Sequence, residues 1–127
     1  MADLLKQSGI DCKIILLSGE RFSEDGSYYF EICKKHEIPY EIYSDKTDLS
    51  NFNTILDCIL GTGFSGDVRG VTADAINAIN SSGAYVVSTD INSGLNGDTG
   101  EGVIYVKSDL TISIGTFKQT TDRKSVV

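Results

Sequence analysis

Short apolar runs rich in β-branched residues alternate along the chain with segments whose apolar positions recur at helical spacing. Lys13–Leu17 (KIILL) predicts a buried strand. The segment 23–38 (SEDGSYYFEICKKHEI) follows, with Tyr29, Ile32, Cys33 and His36 on one helical face and Ser23 or Asp25 placed to cap it. Ile38–Pro39 stops that helix, because the residue before proline is pushed out of the helical region. YEIY (40–43) predicts a short strand and TILDCIL (Thr54–Leu60) a strong one. Thr72–Asn80 predicts a helix with Ala75, Ile76 and Ile79 inward, and AYVVSTD (Ala84–Asp90) a further strand. VIYV (103–106) and LTISIG (110–115) close the series of strands, and MADLLKQSGIDC opens it as the end of a helix with Gly9 as C-cap. Strands alternating with helices predict an α/β fold with a mostly parallel sheet covered on both faces.

The chain has 127 residues, which makes it one domain or part of one, long enough to bury a core. Its net charge of -7 argues against a nucleic-acid backbone or an anionic membrane as the main partner. An anionic small ligand stays open, since backbone N–H groups and a bound metal can supply local positive potential. Cys12, Cys33 and Cys58 are odd in number and form no C-x-x-C pair. They are expected to be buried free thiols, which fits a reducing cytoplasm. There is no signal peptide and no transmembrane-length apolar run, so a cytoplasmic location is expected. Both ends look cut. A helix that starts at Met1 has no capping residue before it, and DRKSVV (122–127) matches no element and resembles the read-through of a sequencing adapter. The expected organisation is a partial domain over residues 1–121 and a non-native tail over 122–127.

Three stretches carry candidate chemistry. Asp57 lies between Leu56 and Cys58 in an apolar run, where an ionised carboxylate is costly unless paired or coordinated. It is either a carboxylate bonding loop N–H groups at a strand end or a ligand to a cation. Gly61-x-Gly63-x-x-Gly66 has the spacing of a dinucleotide-binding fingerprint. It fits a dehydrogenase poorly, because Asp67, Val68, Arg69 and Gly70 separate the third glycine from the helix and Asp67 would face a pyrophosphate unfavourably. A plain strand-to-helix turn is the alternative. Asp90 ends a strand, where open α/β sheets bind ligands, and a glycine-rich loop with Ser93 follows it. Asp57, Ser93 and backbone carbonyls would make an all-oxygen set suited to a hard cation, whereas no Cys/His cluster suggests zinc. His36, the only histidine, reads as a packing or surface residue.

D-C-I-L-G-T-G-F-S-G-D-V-R-G, then S-T-D-I-N-S-G-L-N-G-D-T-G, then D-L-T-I-S-I-G-T-F-K resemble, in this order over Asp57–Lys118, the NAD(P)H-hydrate epimerases, the YjeF N-terminal domain family. The resemblance implies a Rossmann-like three-layer α/β/α sandwich, here truncated at the N-terminus. It implies epimerisation of the R and S forms of hydrated NADH or NADPH, with the hydrated nucleotide as substrate rather than redox cofactor. Gly61, Thr62, Gly63, Phe64, Ser65, Gly66, Asp67 and Asp90 would contact the substrate, Asp90 would be catalytic, and Asp57 and Ser93 would bind a potassium ion. The family's Gly-Asn-Asn-Gly-Gly-Asp-Gly loop, which grips phosphate and supplies a further potassium ligand, does not occur in this sequence. The resemblance leaves open a homodimer and a fused dehydratase domain beyond the C-terminus. The alternative function is a non-catalytic nucleotide- or partner-binding module of the same fold, as in mRNA-decapping scaffolds, and a dehydrogenase domain is the third reading.

Overall fold

The computed structural model describes residues 2–18 and 23–113. The chain divides into two compact units, Met1–Lys46 and Thr47–Val127.

In the first unit, α1 (Ala2–Gln7) ends as the sequence predicts. Gly9 takes φ 81, which a residue without Cβ adopts at no steric cost. Its N–H then bonds the Lys6 carbonyl while the Ile10 N–H bonds that of Leu5, the paired pattern of a Schellman stop. After β1 (Ile14–Leu16), α2 (Glu24–Lys35) opens on Ser23, whose hydroxyl oxygen accepts the Gly26 N–H at 3.2 Å. Ser23, rather than Asp25, is therefore the cap. His36 closes the helix from an exposed position. Beyond it Glu37 repeats the Schellman stop with a non-glycine φ of 57, and Pro39 follows. β2 (Tyr40–Ile42) pairs parallel with β1 in the register Ile14↔Tyr40 to Leu16↔Ile42. Phe30 and Cys33 form the buried face of α2; the Phe30 ring meets Tyr40 edge-on at 5.1 Å and carries the Lys34 ammonium 4.7 Å above it.

The second unit contains β3 (Thr54–Asp57), α3 (Gly70–Asn80), β4 (Tyr85–Thr89) and β5 (Leu110–Ile112). The strands lie in the order β3-β4-β5 and every pair is parallel. The expected inward face of α3 is the observed one: Ala75, Ile76 and Ile79 are buried. Ile76 and Ile79 pack with Val86 and Val106, flanked by Ile55, Ile59 and Ile104. Burying an isoleucine of this kind contributes about 1.5–3 kcal/mol.

Most elements are a residue or more shorter at an end than expected, and three expectations change further. The run Thr54–Leu60 keeps strand structure only to Asp57, because the next amides leave the ladder for side chains: Ile59 N–H bonds Asp57 Oδ1 and Leu60 N–H bonds Ser93 Oγ. α3 starts at Gly70, two residues ahead of Thr72. The run 103–106 forms no strand, because its backbone is committed elsewhere. The Val106 N–H bonds the Ser93 carbonyl, Tyr105 O accepts from Asn80 Nδ2, and the Ile104–Tyr105 backbone presses against Gly94. The end of LTISIG and the tail 122–127 lie outside the described residues.

The expectation of three buried thiols also needs correction. Cys33 is buried, Cys12 is half-buried and Cys58 is exposed, since β3 has already ended when the chain reaches it. Among the described residues no helix is long and apolar enough to cross a membrane.

Candidate functional site

Because β3 and β4 run parallel, their carboxyl ends emerge at one edge of the sheet, and the loops after Asp57 and Thr89 meet there. Asp57 is completely buried at that edge. Its Oδ1 accepts the Ser93 hydroxyl at 2.5 Å and the Ile59 N–H at 3.3 Å. Its Oδ2 accepts the Ser88 hydroxyl at 2.7 Å and the Ser93 N–H at 2.9 Å. A carboxylate offers about four lone-pair directions, and four donors of this chain meet them. That explains how a carboxylate is tolerated inside an apolar run: hydrogen bonds replace the water it loses. This geometry is the first of the two readings offered by the sequence, a strand-end carboxylate that gathers loop donors; as a ligand to a cation, Asp57 would have to exchange one of them.

Ser93 ties the two loops together. It is fully buried, its Oγ accepts the Leu60 N–H at 2.8 Å, and the same atom lies 3.3 Å from the Leu60 carbonyl oxygen. The oxygens of Asp57, Ser93 and Leu60 thus converge from β3, from the loop after β4 and from the loop after β3. Among the described residues no group of three or more His, Cys, Asp or Glu side chains could hold a metal. The converging donors are one carboxylate, one hydroxyl and one carbonyl, a set that suits a hard cation rather than a transition metal.

Asp90 takes φ 71, the left-handed region that aspartate enters more readily than most residues. Its N–H bonds the Ile112 carbonyl at 2.7 Å, which keeps its backbone on the sheet, while Oδ2 accepts the Thr62 N–H at 3.3 Å. Asp90 therefore joins the head of the Gly61–Asp67 loop. Gly97 comes so close to Thr62 that a Cβ there would stand 2.9 Å from the Thr62 carbonyl oxygen. The loop after β4 thus touches Thr62 from two positions, in addition to the Ser93–Leu60 contact.

The remaining loop residues divide. Gly63 has open space around it, Phe64 is half-buried and Ser65 is exposed. Gly66 and Asp67, with Val68 and Arg69, line one wall of an open cleft of about 240 Å³ whose other wall is Gly94, Val103 and Ile104. Asp67 carries an exposed ion pair to Arg69 at 3.7 Å, worth little in water but enough to offset part of the acidic charge facing the cleft. The structure thus brings Asp57 to Ser93 and Asp90 to Thr62, and sets Gly66 and Asp67 on the cleft wall.

Four buried polar residues at this edge were not singled out in the sequence: Ser88, Asn92, Ser108 and Thr111. Ser88 lies in register between Asp57 and Thr111 on the three neighbouring strands. For Ser88 and Thr111 the available signal was a small polar residue inside an otherwise apolar run, YVVST and LTI, as Asp57 is in TILD.

Parallel strands with helices, a buried carboxylate and a glycine-rich loop at the carboxyl edge define an α/β protein of Rossmann-like fold. The YjeF-related protein N-terminus family matches residues 1–120, and the chain belongs to that family. It is 42% identical over 101 residues to the NAD(P)H-hydrate epimerase of Levilactobacillus brevis, covering 79% of this chain and 46% of that protein. It is 32% identical over 119 residues to the bifunctional NAD(P)H-hydrate repair enzyme Nnr of Thermofilum pendens, covering 87% of this chain and 23% of that one. The chain thus spans about half the length of the epimerases it matches, and less of the bifunctional enzyme. The crystal structure of yeast ynu0, YNL200c, has the same fold: TM-score 0.85 at 16% identity, over 97% of this chain and 54% of that one.

Proposed function

We propose that residues 1–121 are part of an NAD(P)H-hydrate epimerase domain, which interconverts the R and S forms of hydrated NADH and NADPH. The observation that carries the reading is the joint placement of Asp57, Ser93 and Asp90 at one sheet edge, in a chain whose relatives bear that name.

The chemistry asked of the site is modest. The hydrated ring carries its hydroxyl on a carbon bonded to nitrogen. The C–O bond breaks with its electron pair on oxygen, the nitrogen lone pair closes to an iminium, and water returns to the opposite face and gives up a proton. No electron is gained or lost overall. A carboxylate beside that carbon stabilises the cation and accepts the proton, general-base help typically worth about 10²–10⁴-fold. Asp90 takes this role, since its fixed backbone and its bond to the Thr62 N–H place a carboxylate at the head of the loop. The loop residues Gly61, Thr62, Gly63, Phe64, Ser65, Gly66 and Asp67 supply backbone N–H groups and surface against the nucleotide. Asp57 and Ser93, with their all-oxygen surroundings, would hold a potassium ion, which would add positive charge beside the loops. Three free cysteines suit a reducing cytoplasm, and a dehydratase partner fits the bifunctional name of the Thermofilum pendens relative.

The test is chromatographic. Purified R-form hydrated NADH is incubated with the chain, and appearance of the S form is compared with the spontaneous rate. The expected result is acceleration, reduced about 10²–10⁴-fold by Asp90→Asn with nucleotide binding and thermal stability retained. Unchanged turnover in the variant would sink the role of Asp90. Tight nucleotide binding with no acceleration would sink the epimerase reading in favour of a binding module.

A further inference from the structure

The buried polar side chains among the described residues are six: Asp57, Ser88, Asn92, Ser93, Ser108 and Thr111. They form two hydrogen-bonded groups joined at one peptide. Asp57, Ser88 and Ser93 are the first. Asn92, Ser108 and Thr111 are the second, a closed ring: Thr111 Oγ1 donates to Asn92 Oδ1 at 2.7 Å, Asn92 Nδ2 donates to Ser108 Oγ at 2.7 Å, and Ser108 Oγ lies 3.0 Å from Thr111 Oγ1. The second amide hydrogen of Asn92 goes to the Val106 carbonyl at 2.8 Å.

We propose that Thr111, acting through Asn92, is a positioning residue for Ser93, and that the buried ring sets the distance between Ser93 and Asp57; its relevance to a cation or substrate rests on the function proposed above. The chain of contacts is short. A carbonyl can only accept, so Val106 O requires the amide nitrogen of Asn92, and the Thr111 hydroxyl on Oδ1 holds the amide in that orientation. Val106, fixed by its carbonyl, directs its own N–H at the Ser93 carbonyl at 2.8 Å. The Ser93 N–H points the other way, to Asp57 Oδ2. Ser93 is thus gripped at both backbone groups, and its hydroxyl reaches Asp57 and Leu60 without freedom to drift. Thr111 sits on β5, in register with Ser88 on β4 and, through it, with Asp57 on β3, so the grip is anchored to the sheet rather than to a loop. A partly satisfied ring of this kind is costly, and a complete one specifies a single arrangement.

Thr111→Val removes the hydroxyl and keeps the shape, leaving Asn92 Oδ1 short of its donor. Thr111→Ser keeps the hydroxyl. Amide exchange in both variants, read residue by residue by NMR, tests the proposal. In Thr111→Val, exchange at Ser93 and Val106 is expected to rise about tenfold, with Leu56 and Ile76 changing less than about threefold, and Thr111→Ser to restore the original rates. Equal acceleration throughout the second unit, or unaltered exchange at Ser93 and Val106, would overturn it. If Thr111→Val does not fold, Ser108→Ala breaks the same ring from its other side and predicts the same local pattern. Exchange in potassium chloride against choline chloride separates the two claims. An unaltered chain that ignores potassium loses the potassium assignment, while the positioning result stands or falls on the variants alone.

Discussion

Gly94→Ala probes the tightest point of the loop after β4. Gly94 has φ 98, and a Cβ built on it would run into the Ile104 carbonyl oxygen and stand 2.8 Å from Tyr105 Cα. Both obstacles are backbone, so no side chain can swing aside. The dihedral alone costs a non-glycine residue about 1–3 kcal/mol, and forcing atoms into a filled space adds about 1–3 kcal/mol. The expected loss is therefore about 4 kcal/mol, a large fraction of the roughly 5–15 kcal/mol that holds a domain folded. With a urea slope of about 2 kcal/mol per molar, the midpoint would fall by about 2 M. Gly63→Ala is the matched control. It lies in the same site, has no atom within 4 Å of the added Cβ and no positive φ, so its stability should change by less than about 0.5 kcal/mol. Urea unfolding followed by circular dichroism measures both. A loss below about 1 kcal/mol in Gly94→Ala would refute the reasoning, because the Ile104–Tyr105 backbone would then have room to retreat.

Two further predictions concern the carboxylate and the thiols. Asp57→Asn turns one acceptor oxygen into a donor, and in either orientation the new amide faces a backbone N–H, of Ile59 or of Ser93. The expected loss is about 2–4 kcal/mol, read by the same urea titration, and an unaltered midpoint would contradict the hydrogen-bond arrangement described above. Iodoacetamide followed by peptide mass spectrometry should label exposed Cys58 first and Cys33 last. Burial chiefly, with Asp3 assisting, pushes the Cys33 thiol above its ordinary value, so less thiolate is present at neutral pH. The neutral thiol's contribution to stability is complete below the unfolded value and is lost as pH rises through the folded one. Equal labelling rates at Cys33 and Cys58 would show the helix face to be open.

The order and type of the main elements were legible because apolar periodicity reports burial, and burial dictates the strands and helices here. The face of α3 with Ala75, Ile76 and Ile79 and the stop at Gly9 follow from spacing and from one left-handed glycine. What failed was set by tertiary hydrogen bonds. The run 103–106 is apolar enough for a strand, but its amides and carbonyls are taken by Ser93, Asn80 and Asn92, which no local pattern announces. Cys58 looked buried because the apolar run continues past it, whereas Asp57 had already drawn the chain out of the sheet. Asp57, Ser93 and Asp90 stood out as anomalies of charge or position. Ser88 and Thr111 did not, since one small polar residue in a strand is ordinary until its neighbours across the sheet are known to be polar too.

The row Asp57–Ser88–Thr111 has a consequence for how this protein could change over time. These residues let three strands close over polar atoms, so losing any one leaves a buried partner stranded. A descendant that no longer met its substrate would still be under pressure to keep Asp57 and Ser93, merely to fold. Asp90, half-exposed at the strand end, carries less of that burden and is free to drift first. In a diverged copy, the presence of the buried pair therefore reports an intact sheet, and, on the role proposed for Asp90, the residue at position 90 is the more telling sign of retained chemistry.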